Sequence, residues 1–265
     1  MANSSPRQPL QSFSVGDAVT LGIRIYRTHF KAYFQTSLIA TLWSFIPIYG
    51  WAKGVEMMGR ISRHAFADLT NQPEPMSDSA KVTEPLLWRF WWASILVGLI
   101  ALAAIFVYII GCAALLIFLF SVSETVGIIV GIICLILGLF LLLRLTCRLF
   151  IYQVAIAVEE SATASASIDR SLNLTKGSAG RIQWVVMVAT IITYVLTVPI
   201  QALRIAVQLG QVVDSSIAPL LSLILLVLGI LSNVIVLPFW QAIAAIIYYD
   251  VRSRREGLGL KLRPE

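Results

Sequence analysis

The stretch Phe90 to Phe120, FWWASILVGLIALAAIFVYIIGCAALLIFLF, runs for 31 residues without an Asp, Glu, Lys or Arg. A helix needs roughly 20 apolar residues to cross the ~30 Å hydrocarbon core of a bilayer. A helix on the surface of a soluble protein shows a polar face instead, because one side of it meets water. Three further runs lack those four residue types: Thr125 to Leu143, Ile182 to Leu203 and Ser215 to Tyr249. Each is long enough to span. The whole chain agrees, with 58% hydrophobic and 13% charged residues and a mean hydropathy of +0.84, against about 25% charged in an ordinary soluble domain. A soluble globule, a disordered chain, collagen, a coiled coil and a disulfide scaffold are excluded on these figures. The reading is an all-α, polytopic helical membrane protein with four spanning helices.

A fifth run, Gln35 to Ala52, is interrupted by Pro47 and Gly50 within Phe45-Ile46-Pro47-Ile48-Tyr49-Gly50-Trp51. Proline removes a helical hydrogen bond, so this segment can span, kink or turn back. Charge placement separates these options. If it turns back, nineteen of the twenty Lys and Arg lie on one side, with Arg204 alone on the other; if it spans, the split is fifteen to five. The positive-inside rule favours the first arrangement. The expectation is a re-entrant or kinked first segment and both termini cytoplasmic. Residues 1–13 read as a disordered polar start with no cleaved signal peptide, 14–256 as one helical membrane domain, and 257–265 as a basic tail.

The Ser215 to Tyr249 run is longer than a bilayer requires, ~52 Å as a helix, and Pro238 is its natural bending point. Trp88, Trp91 and Trp92 mark one interface, as Tyr248 and Tyr249 do for the last helix. Three polar stretches read as interfacial amphipathic helices. After Ser14, with Asp17 completing an approximate capping box, Val19, Ile23, Tyr26, Phe30, Tyr33 and Phe34 recur at helical spacing opposite Arg24, Arg27 and Lys31. Gly54 to Leu69 sets Val55, Met58, Ile61, Ala65 and Leu69 against Glu56, Arg60, Arg63 and Asp68. Ser165 to Lys176 ends at Gly177, a natural C-cap.

No catalytic residue, metal ligand set or cofactor motif emerges. Cys112, Cys134 and Cys147 are few, odd in number and set in apolar helices, so they read as small hydrophobes. His29 and His64 lack a second ligand at metal spacing and read as surface histidines. Glu159 and Glu160, being adjacent, point in different directions and read as a solvated helix end. The span interiors carry no charge, which argues against a proton-coupled pump. Their polarity is neutral: Thr190, Tyr194, Thr197 and Gln201 form a stripe on the third span, with Asn233 on the fourth. This stripe is either a cavity wall or ordinary interhelical bonding, typically worth about 0.6 kcal/mol per contact. Gly127, Gly131 and Gly138 form a smooth strip for close helix packing. Arg24, Arg27, Lys31, Arg144, Arg148, Arg252, Arg254 and Arg255 gather at the ends of apolar runs, so anionic lipid headgroups, not nucleic acid, are the expected counter-charge.

Two stretches carry a resemblance. Asp169-Arg170-Ser171-Leu172-Asn173-Leu174-Thr175-Lys176-Gly177, followed by an apolar span, resembles an "RSw-L-kG" element. Tyr248-Tyr249-Asp250-Val251-Arg252-Ser253-Arg254-Arg255-Glu256-Gly257-Leu258-Gly259-Leu260 resembles a closing "YyDlRvRrEGfdLe". Both belong to a bacterial integral membrane family that includes the membrane domain attached to some glycerophosphoryl diester phosphodiesterases, together with stand-alone proteins, among them cyanobacterial look-alikes. The resemblance extends over residues 14 to 262. Asn173 stands where the family has an aromatic, and Gly259 where it has an acid. The family's hydrolase is a separate soluble barrel, so no catalytic residue carries over. The expected function is a non-enzymatic membrane protein that binds or organises lipid or membrane-protein partners, including copies of itself. The alternative is a small-solute or lipid transporter or channel using the Thr190 to Gln201 stripe.

Overall fold

The computed structural model describes residues 14–159, 163–209 and 217–257. The polar start, Glu160 and nearly all of the basic tail lie outside them. Every regular element among the described residues is helical.

Ser14 caps α1 (Val15–Thr28). Its hydroxyl accepts from the Asp17 amide at 3.1 Å, and the Asp17 carboxylate accepts from the Ser14 amide at 3.0 Å, the reciprocal box that the sequence predicts. The helix expected to run on to Phe34 breaks at His29, where φ is −108°, and α2 (Phe30–Trp43) restarts beyond it. No Pro or Gly marks this break. It is made by packing, because α1 lies along α10 while α2 lies along α3.

The first apolar segment is a helical hairpin. After α2 the chain reverses through Pro47-Ile48-Tyr49, where the Tyr49 amide donates to the Pro47 carbonyl at 2.8 Å and Ile48 takes φ 61°, ψ −74°. That is the strained form of γ-turn, unusual for a β-branched residue. α3 (Tyr49–Leu69) returns along α2. A Cβ at Gly50 would collide with the Trp43 carbonyl, so only glycine lets the two arms start this close. Leu42, Phe45, Ile46, Ile48 and Tyr49 are exposed around the tip, and Trp51 lies 6.0 Å from Trp91.

Then come α4 (Met76–Thr83), a 3-10 turn at Glu84–Leu86, α5 (Leu87–Val122) and α6 (Glu124–Leu149). α7 (Tyr152–Val158) nearly continues α6, followed by α8 (Ala164–Thr175), α9 (Ala179–Gln208) and α10 (Ala218–Glu256). Four helical stretches are long and apolar enough to cross a membrane: Met76–Val122, Glu124–Val158, Ala179–Gln208 and Pro219–Glu256. They contain three of the apolar runs read from the sequence whole, and the fourth from Pro219 onward. α5 packs on α6, α6 on α9 and α9 on α10, while α3 wedges between α10 and α5.

The long helices divide into two regimes. At one end α1 to α4, α7, α8 and the adjoining turns of the long helices enclose a packed core that includes Tyr33, Ile61, Val154 and Ile243 to Tyr249. At the other end α5 beyond Leu96, α6 up to Leu141, α9 beyond Ile191 and α10 up to Leu237 carry rows of exposed large apolar side chains. The change on α10 falls at Pro238: Leu237 is exposed, Phe239 is buried, and Ala242 to Tyr249 are covered by protein. The excess length of this run is therefore absorbed by a protein core.

One expectation is corrected here. α3 has no solvated polar face: Glu56 and Ser62 are fully buried and His64 nearly so. Helices α2, α4, α5, α7 and α10 surround it, so its polar residues are satisfied by protein groups instead of water.

Candidate functional site

The polar chemistry of the chain is concentrated in the packed end, in three linked centres. The first is built on Glu159, at the end of α7. Its carboxylate accepts from the Tyr248 hydroxyl at 2.5 Å and from Arg170 Nε and Nη2, each at 2.9 Å. Arg170 also reaches Glu256 at 2.5 Å, and Glu256 pairs with Arg252 at 3.0 Å. Arg252 lies 5.8 Å from the centre of the Tyr248 ring. Glu159 is therefore a three-helix hub, which corrects its reading as a solvated helix end.

Around this hub the two motif-bearing stretches are joined throughout. Arg181 at the start of α9 pairs with Asp250 at 3.3 Å, and Arg254 reaches the same carboxylate at 3.2 Å. The Arg255 guanidinium donates to the carbonyls of Asn173 and Lys176, closing the C-terminal end of α8, where unpaired carbonyls favour a cation. Gly177 then turns with φ +83°, as its C-cap reading requires. On the other side of α8, Ser171 donates to the Arg148 carbonyl at 2.6 Å, one of the acceptors left open where α6 ends. α8 is thus clamped between α6 and α10, and Ser167, Ser171 and Thr175 are fully buried.

The second centre is the buried Glu56. Arg60 Nη2 and Lys53 Nζ each approach its carboxylate at 3.0 Å, and the Thr83 hydroxyl donates to it as well. Glu84 receives Lys53 and Arg60, each at 3.2 Å. Two acids and two bases balance in charge, the condition for keeping a carboxylate away from water. The third centre is aromatic. The Tyr33 hydroxyl is hydrogen-bonded to His64 Nδ1 at 3.1 Å, the His29 ring meets His64 edge-on at 4.6 Å, and His29 Nε2 lies 3.6 Å from Asp68. Burial, with His29 second, lowers the His64 pKa from its usual value. These histidines sit in the α2–α3 seam, not on an open surface as their sequence context implied.

The residues singled out from the sequence fall in different places. The Gly strip is an internal seam: Gly127, Gly131 and Gly138 on α6 face Phe120, Leu116 and Tyr108 of α5, and a side chain at Gly127 or Gly138 would strike those rings. The Tyr108 hydroxyl donates to the Cys134 carbonyl in the same seam. The neutral stripe does not converge. The hydroxyls of Thr190 and Thr197 donate to their own helix at Val186 and Thr193, and the Asn233 amide donates to Gly229. Tyr194, Gln201 and Asn233 point outward. Among the basic residues, Arg24, Arg27, Lys31, Arg144, Arg254 and Arg255 are exposed. Arg252, Arg254 and Arg255 are engaged as described, and Arg148 turns inward to the Leu172 carbonyl at 3.2 Å. A guanidinium beside an open helix end is drawn to its carbonyls, and the sequence alone does not place that helix end.

Among the described residues, no three His, Cys, Asp or Glu side chains are arranged to hold a metal ion, and the three cysteines are free. A cleft between α1, α9 and α10, beside Arg181 and Asp250, has a volume of about 10 Å³, room for a water molecule and not for an organic substrate. Sequence reading missed Glu56, Tyr33 and Ser171 as polar anchors. Tyr33, a hydroxyl on the apolar face, carried a readable signal; Glu56 sat among other charges and carried none.

Fold and site together define the class: an all-α polytopic helical protein with a polar layer at one end of its apolar helices. Comparison of the chain with family models, with curated proteins and with solved structures finds no match.

Proposed function

We propose that the chain is a non-enzymatic integral membrane protein that binds or organises lipid or membrane-protein partners. The observation that supports this reading is the division of surfaces. The charged groups of the packed end are largely committed to one another, while the apolar halves of α5, α6, α9 and α10 remain open to whatever surrounds them. An enzyme needs an accessible nucleophile, acid or metal beside a pocket. A transporter path needs polar groups that converge, and the stripe's threonine hydroxyls close onto their own backbone while Tyr194 and Gln201 point outward.

In this reading the packed end faces the cytoplasm of a bacterial inner or thylakoid membrane, and both termini lie on that side. Among the described residues every Lys and Arg except Arg204 belongs to that end, which accords with the positive-inside rule. The exposed hairpin tip, with Phe45 and Ile46 beside the Trp51–Trp91 pair, enters the bilayer shallowly as a re-entrant element. We also read the chain as a stand-alone relative of the membrane domain attached to glycerophosphoryl diester phosphodiesterases. In support, the two stretches that carry the resemblance, 169–177 and 248–260, contact each other through Arg170–Glu256 and Arg255–Lys176.

Gentle solubilisation of native membranes, followed by identification of the proteins and lipids that co-purify, tests the function. The expected result is a reproducible stoichiometric partner or lipid with no solute flux in proteoliposomes. Flux that disappears on Thr197→Leu with Gln201→Leu would overturn the proposal in favour of a transporter.

A further inference from the structure

The basic residues separate into two populations that the sequence presents as one. Arg170, Arg181, Arg252 and Arg254 each hold a carboxylate, and Arg148 and Arg255 hold backbone carbonyls. Arg24, Arg27 and Lys31 are exposed and have no ion pair among the described residues. They recur at steps of three and four across the α1–α2 junction.

Their depth along the helices is set by Tyr26, which lies between them. Its hydroxyl donates to the Ile235 carbonyl at 2.9 Å, and its ring meets Phe239 edge-on at 6.2 Å. Ile235 and Phe239 flank Pro238, where α10 passes from exposed apolar side chains to a protein-covered core. The cations thus stand level with the change of medium, which in a bilayer is the headgroup layer. Phe30, between Arg27 and Lys31, is 43% exposed and gives the row an apolar anchor, the pairing that seats an amphipathic helix at an interface.

We infer that Arg24, Arg27 and Lys31 form the docking surface for anionic lipid headgroups, and that the C-terminal arginines serve as clamps between helices of the protein itself. This deepens the membrane reading above and rests on it. The occupant follows from charge complementarity at that depth: a leaflet supplies many phosphates in one plane, whereas the row offers no enclosed pocket for a single free anion.

The test uses the full chain in nanodiscs of phosphatidylglycerol and phosphatidylcholine in equal parts, re-purified in mild detergent, with the retained lipids quantified. The unmodified chain is expected to retain phosphatidylglycerol preferentially, and added salt to weaken that preference. Arg24→Gln, Arg27→Gln and Lys31→Gln together should cut the enrichment about fivefold or more, since one basic residue at an anionic surface contributes about that factor. Arg24→Lys, Arg27→Lys and Lys31→Arg together should preserve it, as should Arg254→Gln. Unchanged enrichment in the triple Gln protein overturns the inference. So does loss of a bound acidic protein with lipid retention intact. A chain that leaves the membrane fraction on alkaline carbonate washing would defeat the membrane reading itself, which separates the two failures.

Discussion

Arg170 of α8 and Glu256 of α10 meet at 2.5 Å, and both also belong to ion pairs around the same hub, Arg170 with Glu159 and Glu256 with Arg252. α8 and the end of α10 are thereby fixed to one hub. The cost of cutting this junction depends on what remains unpaired.

Glu159→Ala removes the acceptor of the buried Tyr248 hydroxyl and one of the two carboxylates held by Arg170. Its loss should cost about 1–3 kcal/mol, below the 3–5 kcal/mol typical of a fully buried pair, because both side chains keep some contact with water. Thermal unfolding in detergent measures it, and Tyr248→Phe should lose about 1 kcal/mol, the net contribution of one hydrogen bond.

Glu56→Ala leaves Lys53 and Arg60 to share the more exposed Glu84, so one cation loses its counter-charge. The expected loss is about 3 kcal/mol or more, by the same logic of an uncompensated charge. Lys81→Ala, which removes an exposed pair with Asp78, should change the unfolding midpoint negligibly.

Gly138→Leu drives a side chain into the Tyr108 ring, whereas a Cβ at Gly98 would meet nothing within 4 Å. Overpacking of this kind costs about 1–3 kcal/mol. Gly138→Leu should lower the midpoint accordingly, and Gly98→Leu should leave it within the scatter of the measurement.

The His64 pKa lies below its usual value, chiefly from burial and next from His29, against opposing pulls from Asp68 and Glu74. Tyr33 and the Arg63–Glu74 pair complete its surroundings. A group with a depressed folded pKa binds its proton more readily when unfolded. Its stabilisation is present above about pH 6.5, the ordinary histidine value, and is lost as pH falls below it. The unfolding midpoint should drop between pH 7.5 and pH 5.5, and His64→Gln should reduce the drop. An equal drop in both proteins would contradict this assignment.

How much of this was legible in the sequence differs between elements. The four long helices were, because an unbroken apolar run has one physical solution in a bilayer, and so was the Ser14–Asp17 cap, which is a local pattern. Pro47 and Gly50 left spanning, kinking and turning back all open, and charge placement favoured turning back; the chain forms a helical hairpin there. The His29 break was not legible, since neighbouring helices impose it without a Pro or Gly. Glu56 was misplaced because a helical wheel sorts residues into a wet and a dry side, and α3 has no wet side. The Gly strip announced a close contact without naming α5 as the partner. Arg252–Glu256 is an i,i+4 pair open to sequence reading, but Arg255 could not be told from Arg24 by type, because only the fold brings the end of α8 beside it.

The most direct test of the account is the side of the membrane from which single cysteines react. With Cys112, Cys134 and Cys147 replaced, Asn71→Cys, Lys176→Cys and Glu124→Cys each place one thiol at an exposed position. A membrane-impermeant thiol reagent applied to right-side-out and inverted vesicles should label the first two from the cytoplasmic side and the third from the opposite side. Labelling of Asn71→Cys and Lys176→Cys from different sides, or of all three from the same side, would contradict it.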